Sequence, residues 1–445
     1  MKFNRRRLAL TLLVAVAVTA LATTSAAGAA KSGGLPKGNY TLTVFADQDW
    51  VRPPELALAK KFKQQTGITV KYDIIPDSSY QQVLTTKLNS GQEPGDIYMG
   101  QPPGGTGSGL QTTFSVLKHA VDLSKQPWVS REFANARALA TYKGKLWGQT
   151  IWDTVSGSWI IVYNKADFAT AGITSLPRTF SQFTADCAAL KAKGINPIYE
   201  PISDGWHQVL WFAENMSKAA DESSGLVANL NNNKATFAGT PLAVTALTQI
   251  HSLYQSGYFG PTSLTDTFAN TVPNMSSGKY AMTVNTVTLP TQINAADPSI
   301  PTTNYGFMPV PILNNQYVNQ NPGGPTKFVY RQGKHVAGAE EYLDFLAEPA
   351  NLNYQIARST SFVTLDFNGV KSKWTPAEAA FVKAYKPNPQ PVMQVSVNYV
   401  NPQWSQIGTD MAAMFTGQLS PTAVLQNIDD RRKQEAQAAR DPHWR

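Results

Sequence analysis

Three adjacent runs near the start of the chain indicate how it folds: YTLTVF at 40–45, LALAKKFKQQTG at 56–67 and ITVKYDII at 68–75. The first and last runs are rich in β-branched and aromatic residues, and the last alternates apolar with polar positions, as strands do. The middle run places its apolar residues on one helical face and stops at Gly67. A strand, a helix and a second strand in this order predict an α/β architecture with parallel strands.

The same alternation continues outward along the chain. An amphipathic helix from Tyr80 closes at Gly91, and a short buried strand follows at 96–99. The pattern begins again after Ile151, which predicts two α/β lobes, with chain crossings near 151–157 and 285–289. The predicted division is a signal peptide at 1–29, an N-terminal lobe of 38–150 plus 287–333, and a C-terminal lobe of 151–286 plus 334–445.

The first thirty residues have the composition of a secretory leader. Four basic residues precede an apolar run from Leu8 to Leu21, and small residues follow up to Ala30. This pattern predicts a removable signal peptide, with an uncleaved membrane anchor as the alternative. The run Arg5–Arg7 also loosely resembles a twin-arginine export signal. No Cys follows the leader. We therefore expect an extracytoplasmic protein, in the periplasm, at the cell surface or secreted, that is soluble and not lipid-anchored.

Composition excludes several classes of function. The formal net charge of the 445-residue chain is +8, and removal of the basic leader leaves about +4, too little for a dedicated nucleic-acid protein. Cys187 is the single cysteine; its helical spacing indicates a buried apolar position. The five histidines show no metal-ligand spacing, and the loop at 100–109 lacks a phosphate-binding signature. We expect no metal, no cofactor and no catalytic residue.

Four segments together resemble the family 1 extracellular solute-binding proteins of ABC importers, the maltose-binding type. The first segment, 58–70, is a helix that runs into a strand, and the second, 84–98, has Leu-Asn-Ser-Gly before Pro-Gly-Asp. The third, 163–180, contains Tyr-Asn-Lys, Ala-Gly-Ile and Pro-Arg-Thr-Phe, and the fourth, 278–282, is Gly-Lys-Tyr-Ala-Met. The resemblance implies a two-lobed periplasmic-binding-protein fold of type II with a ligand cleft between hinged lobes. It also implies a monomer that captures a mono- or oligosaccharide without catalysis and delivers it to ABC permease subunits.

The resemblance implies candidate binding residues, since a sugar needs aromatic surface and planar hydrogen-bonding groups. The loop after the first strand, the loop after 96–99 and the first crossing contact ligand or line the cleft in this family. So do the corner near 204, the second predicted crossing and parts of the C-terminal third. The predicted ligand-binding residues are Asp47, Trp50, Gln101, Trp152, Asp153, Asp204, Trp206, Asn285, Arg358 and Trp404, with Asp49, Phe362 and Tyr399 as weaker candidates.

Other interpretations stay open from the sequence alone. Asp47 and Asp204 are also suitable helix caps. Thirty acidic residues allow a carboxylate pair, so a secreted glycan-acting enzyme is one alternative. A binding protein for a non-sugar solute, such as a polyamine or a metal chelate, is the other, and it would need charged groups in place of stacked aromatics.

Overall fold

A computed structural model describes residues 37–101, 116–153, 158–213, 216–319, 325–385 and 392–444. The predicted leader and residues 102–109 of the predicted loop lie outside this part of the chain. The strands are β1 (Thr41–Asp47), β2 (Thr69–Ile75), β3 (Ile97–Gly100), β4 (Thr141–Tyr142), β5 (Lys145–Leu146), β6 (Ile160–Asn164), β7 (Asn196–Tyr199), β8 (Tyr280–Asn285), β9 (Tyr305–Met308) and β10 (Thr326–Val329).

Helices alternate with these strands along most of the chain. They are α1 (Pro53–Thr66), α2 (Asp77–Ser90), α3 (Val116–His119), α4 (Ala134–Ala140), α5 (Lys165–Thr170), α6 (Phe180–Ala192), α7 (His207–Ala213), α8 (Met216–Glu222), α9 (Leu226–Asn231), α10 (Pro241–Gln255), α11 (Thr271–Ser276), α12 (Leu289–Ala296), α13 (Val336–Leu346), α14 (Pro349–Arg358), α15 (Pro376–Ala384), α16 (Met393–Ser396), α17 (Trp404–Phe415) and α18 (Pro421–Ala438). No helix in these ranges is both long enough and apolar enough to span a bilayer.

The first sheet has the order β10-β3-β1-β2. β1 pairs in parallel with β2 and β3, which confirms the parallel strands predicted from residues 40–99, and β10 is antiparallel to β3. Helix α1 ends where Gly67 adopts a φ of 80°, a conformation that glycine reaches without steric cost. Because β1 and β2 run the same way, the loops after both strands meet at one edge of this sheet.

The second sheet has the order β7-β8-β6-β9. β7 pairs in parallel with β8, whereas β6 is antiparallel to β8 and β9. Helix α6 follows Pro177, and Thr179 and Gln182 form a capping box at its start. Cys187 lies in the core beneath this sheet with no exposed surface, as its helical spacing predicted.

Sheet membership differs from the predicted lobe boundaries in two places. β9 belongs to the second sheet, although the prediction assigned 287–333 to the N-terminal lobe. Helices α13 and α14 pack on α1 of the first sheet, although 334–445 was assigned to the C-terminal lobe. The chain therefore returns to the first sheet between β9 and β10 rather than near 285–289. Short apolar strands do not encode which sheet they join, because pairing is a long-range contact.

Candidate functional site

A cavity of about 270 Å³ is lined by residues that belong to both sheets and to the segments between them. The strands end in loops at this cavity, as expected for open α/β sheets. Among the predicted residues, those that line it are Asp47, Trp50, Gln101, Trp152, Trp206, Asn285 and Trp404, together with the weaker candidates Asp49 and Phe362.

Three carboxylates form one wall of the cavity. Asp47 is the last residue of β1 and accepts a hydrogen bond of 2.8 Å from the Asp49 amide, so it also caps the 3-10 turn Gln48–Trp50. Asp77 begins α2 directly after β2. Carboxylate oxygens of Asp47, Asp49 and Asp77 lie within 4.8 Å of one another. Sequence reasoning missed Asp77, although the rule that selected Asp47, a polar residue after a parallel strand, applies to it equally.

Burial perturbs the protonation of this wall. Desolvation, followed by the charge of Asp77, raises the pKa of Asp47 to about 8. Desolvation also raises the pKa of Asp77 to about 6 and raises that of Asp49, with the Asp204 charge adding to the effect. Like charges this close cannot all ionise cheaply. At neutral pH the Asp47 and Asp77 carboxyl groups therefore share a proton.

Aromatic rings form a second wall of the cavity. The centroid of the Trp206 ring lies 5.6 Å from that of Trp159 and 5.1 Å from that of Phe268, with edge-to-face geometry. The Trp404 indole N–H donates to the Trp206 carbonyl at 3.2 Å, which ties α17 to this wall. Trp159 and Phe268 were not predicted; Trp159 directly precedes the apolar run of β6, which has the local pattern of a buried strand.

A buried polar group supports this aromatic wall from behind. His207 has no exposed surface, and its ring lies 5.2 Å from Trp206. Its Nε2 is 2.9 Å from the Val284 carbonyl, and its Nδ1 is 2.8 Å from the Glu200 carboxyl group. A carbonyl only accepts, so Nε2 carries a proton. The other Glu200 oxygen accepts from the Trp211 indole at 2.6 Å, and Trp211 is fully buried.

A second aromatic surface comes from the segments that link the two sheets. Trp152 meets Phe362 edge to face at 4.9 Å between ring centroids. The guanidinium of Arg52 lies over both rings, 5.5 Å and 5.7 Å from their centroids. Trp50 packs edge to face on Tyr80 at 5.2 Å. The cavity thus offers aromatic surface on several sides.

Several buried hydrogen-bond donors around the cavity have no partner among the described residues. They are the indole N–H groups of Trp152 and Trp206, the Asn285 amide nitrogen and the Arg52 Nε. Each such group costs about 1–3 kcal/mol when it is left unpaired. Asn285 is 2% exposed, and its oxygen already accepts from the Thr286 amide at 2.8 Å. These donors and the carboxylate wall suit a ligand that both accepts and donates hydrogen bonds.

The structure places the remaining predicted residues outside the cavity lining. Asp153 is fully buried and accepts from the Thr364 amide at 3.1 Å. Asp204 accepts from the backbone amide of Phe268, so it positions a residue of the aromatic wall. Arg358 ends α14, with its guanidinium 4.0 Å from the Tyr354 ring centroid. The weaker candidate Tyr399 is buried and donates to Asp441 at 2.8 Å.

Two α/β lobes that share one cavity at their strand ends define the type II fold of two-lobed periplasmic binding proteins. Residues 52–352 match the bacterial extracellular solute-binding protein family. The match covers most of the chain, so the chain belongs to this family, as the four sequence segments indicated.

Individual relatives extend this comparison. The diacetylchitobiose binding protein DasA of Streptomyces coelicolor is 29% identical over 217 residues, which is 47% of this chain and 48% of that protein. The chain thus matches about half the length of this curated relative. The solved structure of a chitin oligosaccharide binding protein shares the fold with a TM-score of 0.75 at 20% identity, over 89% of this chain and 99% of the other. A sugar transporter from Bacillus licheniformis in complex with stachyose gives a TM-score of 0.69 at 17% identity, over 89% and 98%.

Proposed function

We propose that this protein captures a saccharide outside the cytoplasm and delivers it to an ABC importer, binding the sugar without changing it. The observation that carries the proposal is the pairing of aromatic surface with polar groups in one cavity. Aromatic rings pack against the C–H face of a sugar, and planar polar groups bond its hydroxyl rim. Membership in the solute-binding family and the names of DasA and the chitin oligosaccharide binding protein support the same class of ligand.

The role of each wall follows from its chemistry. Trp206 and Trp152 supply flat apolar surface, and their indole N–H groups supply donors at the edge of that surface. The ionised carboxylates accept hydrogen bonds from sugar hydroxyls, and Asn285 donates to a ring or hydroxyl oxygen. A ligand that contacts both lobes binds their closed arrangement better than the open one, and this differential affinity drives closure.

The proposal is tested by calorimetry with a panel of mono- and oligosaccharides and with spermidine. Trp206→Ala removes about 80 Å² of apolar contact, which corresponds to about 2 kcal/mol and roughly a thirtyfold loss of affinity. Trp374→Ala is the control, because Trp374 is half-buried in a different cluster and lies outside the cavity. Conversion of the saccharide during incubation would indicate an enzyme instead, and binding of spermidine but of no sugar would indicate a polyamine-binding protein.

Delivery is tested in cells with the radiolabelled saccharide that binds best. Deletion of the gene should abolish high-affinity uptake, and the wild-type gene should restore it. A Trp206→Ala gene should restore uptake only at raised saccharide concentrations, because capture limits transport when ligand is scarce. Unchanged uptake in the deletion strain would contradict the proposed role in import.

A further inference from the structure

The charge of the side chains that line the cavity indicates more about the ligand than that it is a saccharide. Asp47, Asp49 and Asp77 line it, and Arg52 is the single basic side chain among the described residues that do so. Even with one proton shared between Asp47 and Asp77, the lining keeps an excess negative charge. Asp204 lies close enough to raise the pKa values of Asp49 and Asp77, so it adds to the negative field.

The carboxylates are not neutralised by ion pairs. In the described part of the chain, no Lys, Arg or His nitrogen forms a salt bridge with Asp47, Asp49 or Asp77. The Arg52 guanidinium lies over the Trp152 and Phe362 rings. Its charge acts on Asp49 and Asp47 without a salt bridge, and this single positive charge offsets only part of the negative charge of the wall. Asp47 is 1% exposed; without a nearby cation it keeps a proton, and a cation placed against it would favour its ionised form. This wall is therefore arranged to receive a positive charge from the ligand.

The surroundings of the wall favour an organic cation over a bare metal ion. Trp50 and Tyr80 line the cavity beside the carboxylates, and aromatic faces attract ammonium groups as well as sugar faces. Asn285, which is almost completely buried, presents an unpaired amide donor to the same cavity. A metal ion needs oxygen ligands and would leave this donor unpaired, whereas a sugar oxygen accepts from it.

We propose, on the basis of the saccharide-binding function proposed above, that the ligand is an amino sugar whose protonated amine lies against Asp47, Asp49 and Asp77. The aromatic walls hold the sugar ring, and the carboxylates select the ammonium group over a hydroxyl or an acetamido group. The carboxylate wall thus determines specificity, and the aromatic walls supply affinity common to all saccharides.

The experiment compares sugars that differ in a single substituent. Calorimetry at pH 6.5 measures the affinity for glucose, N-acetylglucosamine and glucosamine. It then measures the corresponding β-1,4 disaccharides and the galactose series. Charge-assisted hydrogen bonds predict that the amine binds about tenfold to a hundredfold more tightly than the hydroxyl or acetamido counterpart in at least one series. This preference should fall as the salt concentration rises.

Variants assign the preference to the carboxylate wall. Asp77→Asn keeps the size of the side chain and removes its charge, so the ratio of amine to hydroxyl affinity should fall towards one. Asp297→Asn is the matched control, because Asp297 is exposed and lies outside the cavity; it should keep the wild-type ratio. An unchanged ratio in Asp77→Asn overturns the proposal.

Binding measurements on the wild-type protein also distinguish the amino-sugar proposal from the saccharide-binding proposal. Neutral sugars that bind as tightly as their amino counterparts in every series overturn the amino-sugar proposal and leave saccharide binding intact. Absence of binding by any saccharide overturns saccharide binding itself. Tight binding of Ca²⁺ or Mg²⁺ alone, or of spermidine in preference to every amino sugar, also overturns the amino-sugar proposal.

Discussion

Replacement of Asp47 by asparagine should change how the stability of the unliganded protein depends on pH. The Asp47 carboxyl group has a pKa of about 8 in the folded protein, against 3.8 for an unperturbed Asp. Between these values the folded protein holds a proton that the unfolded chain has released. The free energy of unfolding therefore falls as pH rises through this window. The introduced asparagine imitates the protonated carboxyl group, because its amide can donate to Asp77 and accept from the Asp49 amide.

The size of the stability change follows from the pH range over which the folded and unfolded states differ in protonation. Each pH unit in which the folded state holds one extra proton costs about 1.4 kcal/mol. From pH 5 to pH 7 the unfolded carboxyl group is ionised and the folded one stays mostly protonated. The stability of Asp47→Asn relative to wild type should therefore rise by about 2–3 kcal/mol over these two units.

The assay is denaturant unfolding of both proteins at pH 5, 6, 7 and 8, followed by tryptophan fluorescence and far-UV circular dichroism. Taking the difference between the two proteins at each pH cancels the contribution of other titrating groups, such as Glu132, whose pKa burial also raises to about 8. Asp297→Asn serves as the control, because Ser299 lowers the pKa of Asp297 and the group stays ionised throughout. A stability difference between Asp47→Asn and wild type that does not vary with pH would refute the reasoning.

Two further substitutions test the support of the aromatic wall. Glu200→Leu removes the acceptor of the buried Trp211 indole and the partner of His207, so thermal denaturation should show a loss of about 3 kcal/mol; an unchanged melting temperature would contradict this role. Gly408→Ala places a methyl group on the carbonyl oxygen of Gly205, which should push α17 outward, destabilise the protein by about 1–3 kcal/mol and weaken saccharide binding in calorimetry. Full affinity in that variant would show that the contact between α17 and the loop at Gly205 does not position the wall.

Much of the fold could be predicted from local pattern. Strands β1, β2 and β3 and helices α1 and α2 each carry a periodicity and a stop signal within a few residues, so the parallel half of the first sheet was predicted correctly. The sheet of β9 could not be predicted, because 287–333 was assigned to a single lobe, whereas β9 and β10 join different sheets. Both strands are only four residues long and pair with partners more than a hundred residues away in sequence.

The candidate site likewise contains residues that could be predicted from the sequence and residues that could not. Asp47, Trp50, Trp152 and Trp206 were selected because they follow strands or precede helices at places where this family binds ligand. The structure places all four in the cavity lining, and their contact with ligand stays a prediction. Trp159 and Phe268 complete the aromatic wall, but Trp159 adjoins the apolar run of β6, and Phe268 has no local signal.

Residues close together in the chain were enough to establish the α/β class, the leader pattern, the buried Cys187 and membership in a solute-binding family. The carboxylate wall, in contrast, exists only in the folded protein. Asp47, Asp49 and Asp77 become neighbours because two parallel strands end at one sheet edge, and burial there makes the Asp47 and Asp77 carboxyl groups share a proton. The identity of each residue supplies its charge. Only the fold determines how near that charge lies to other charges and how far it lies from water.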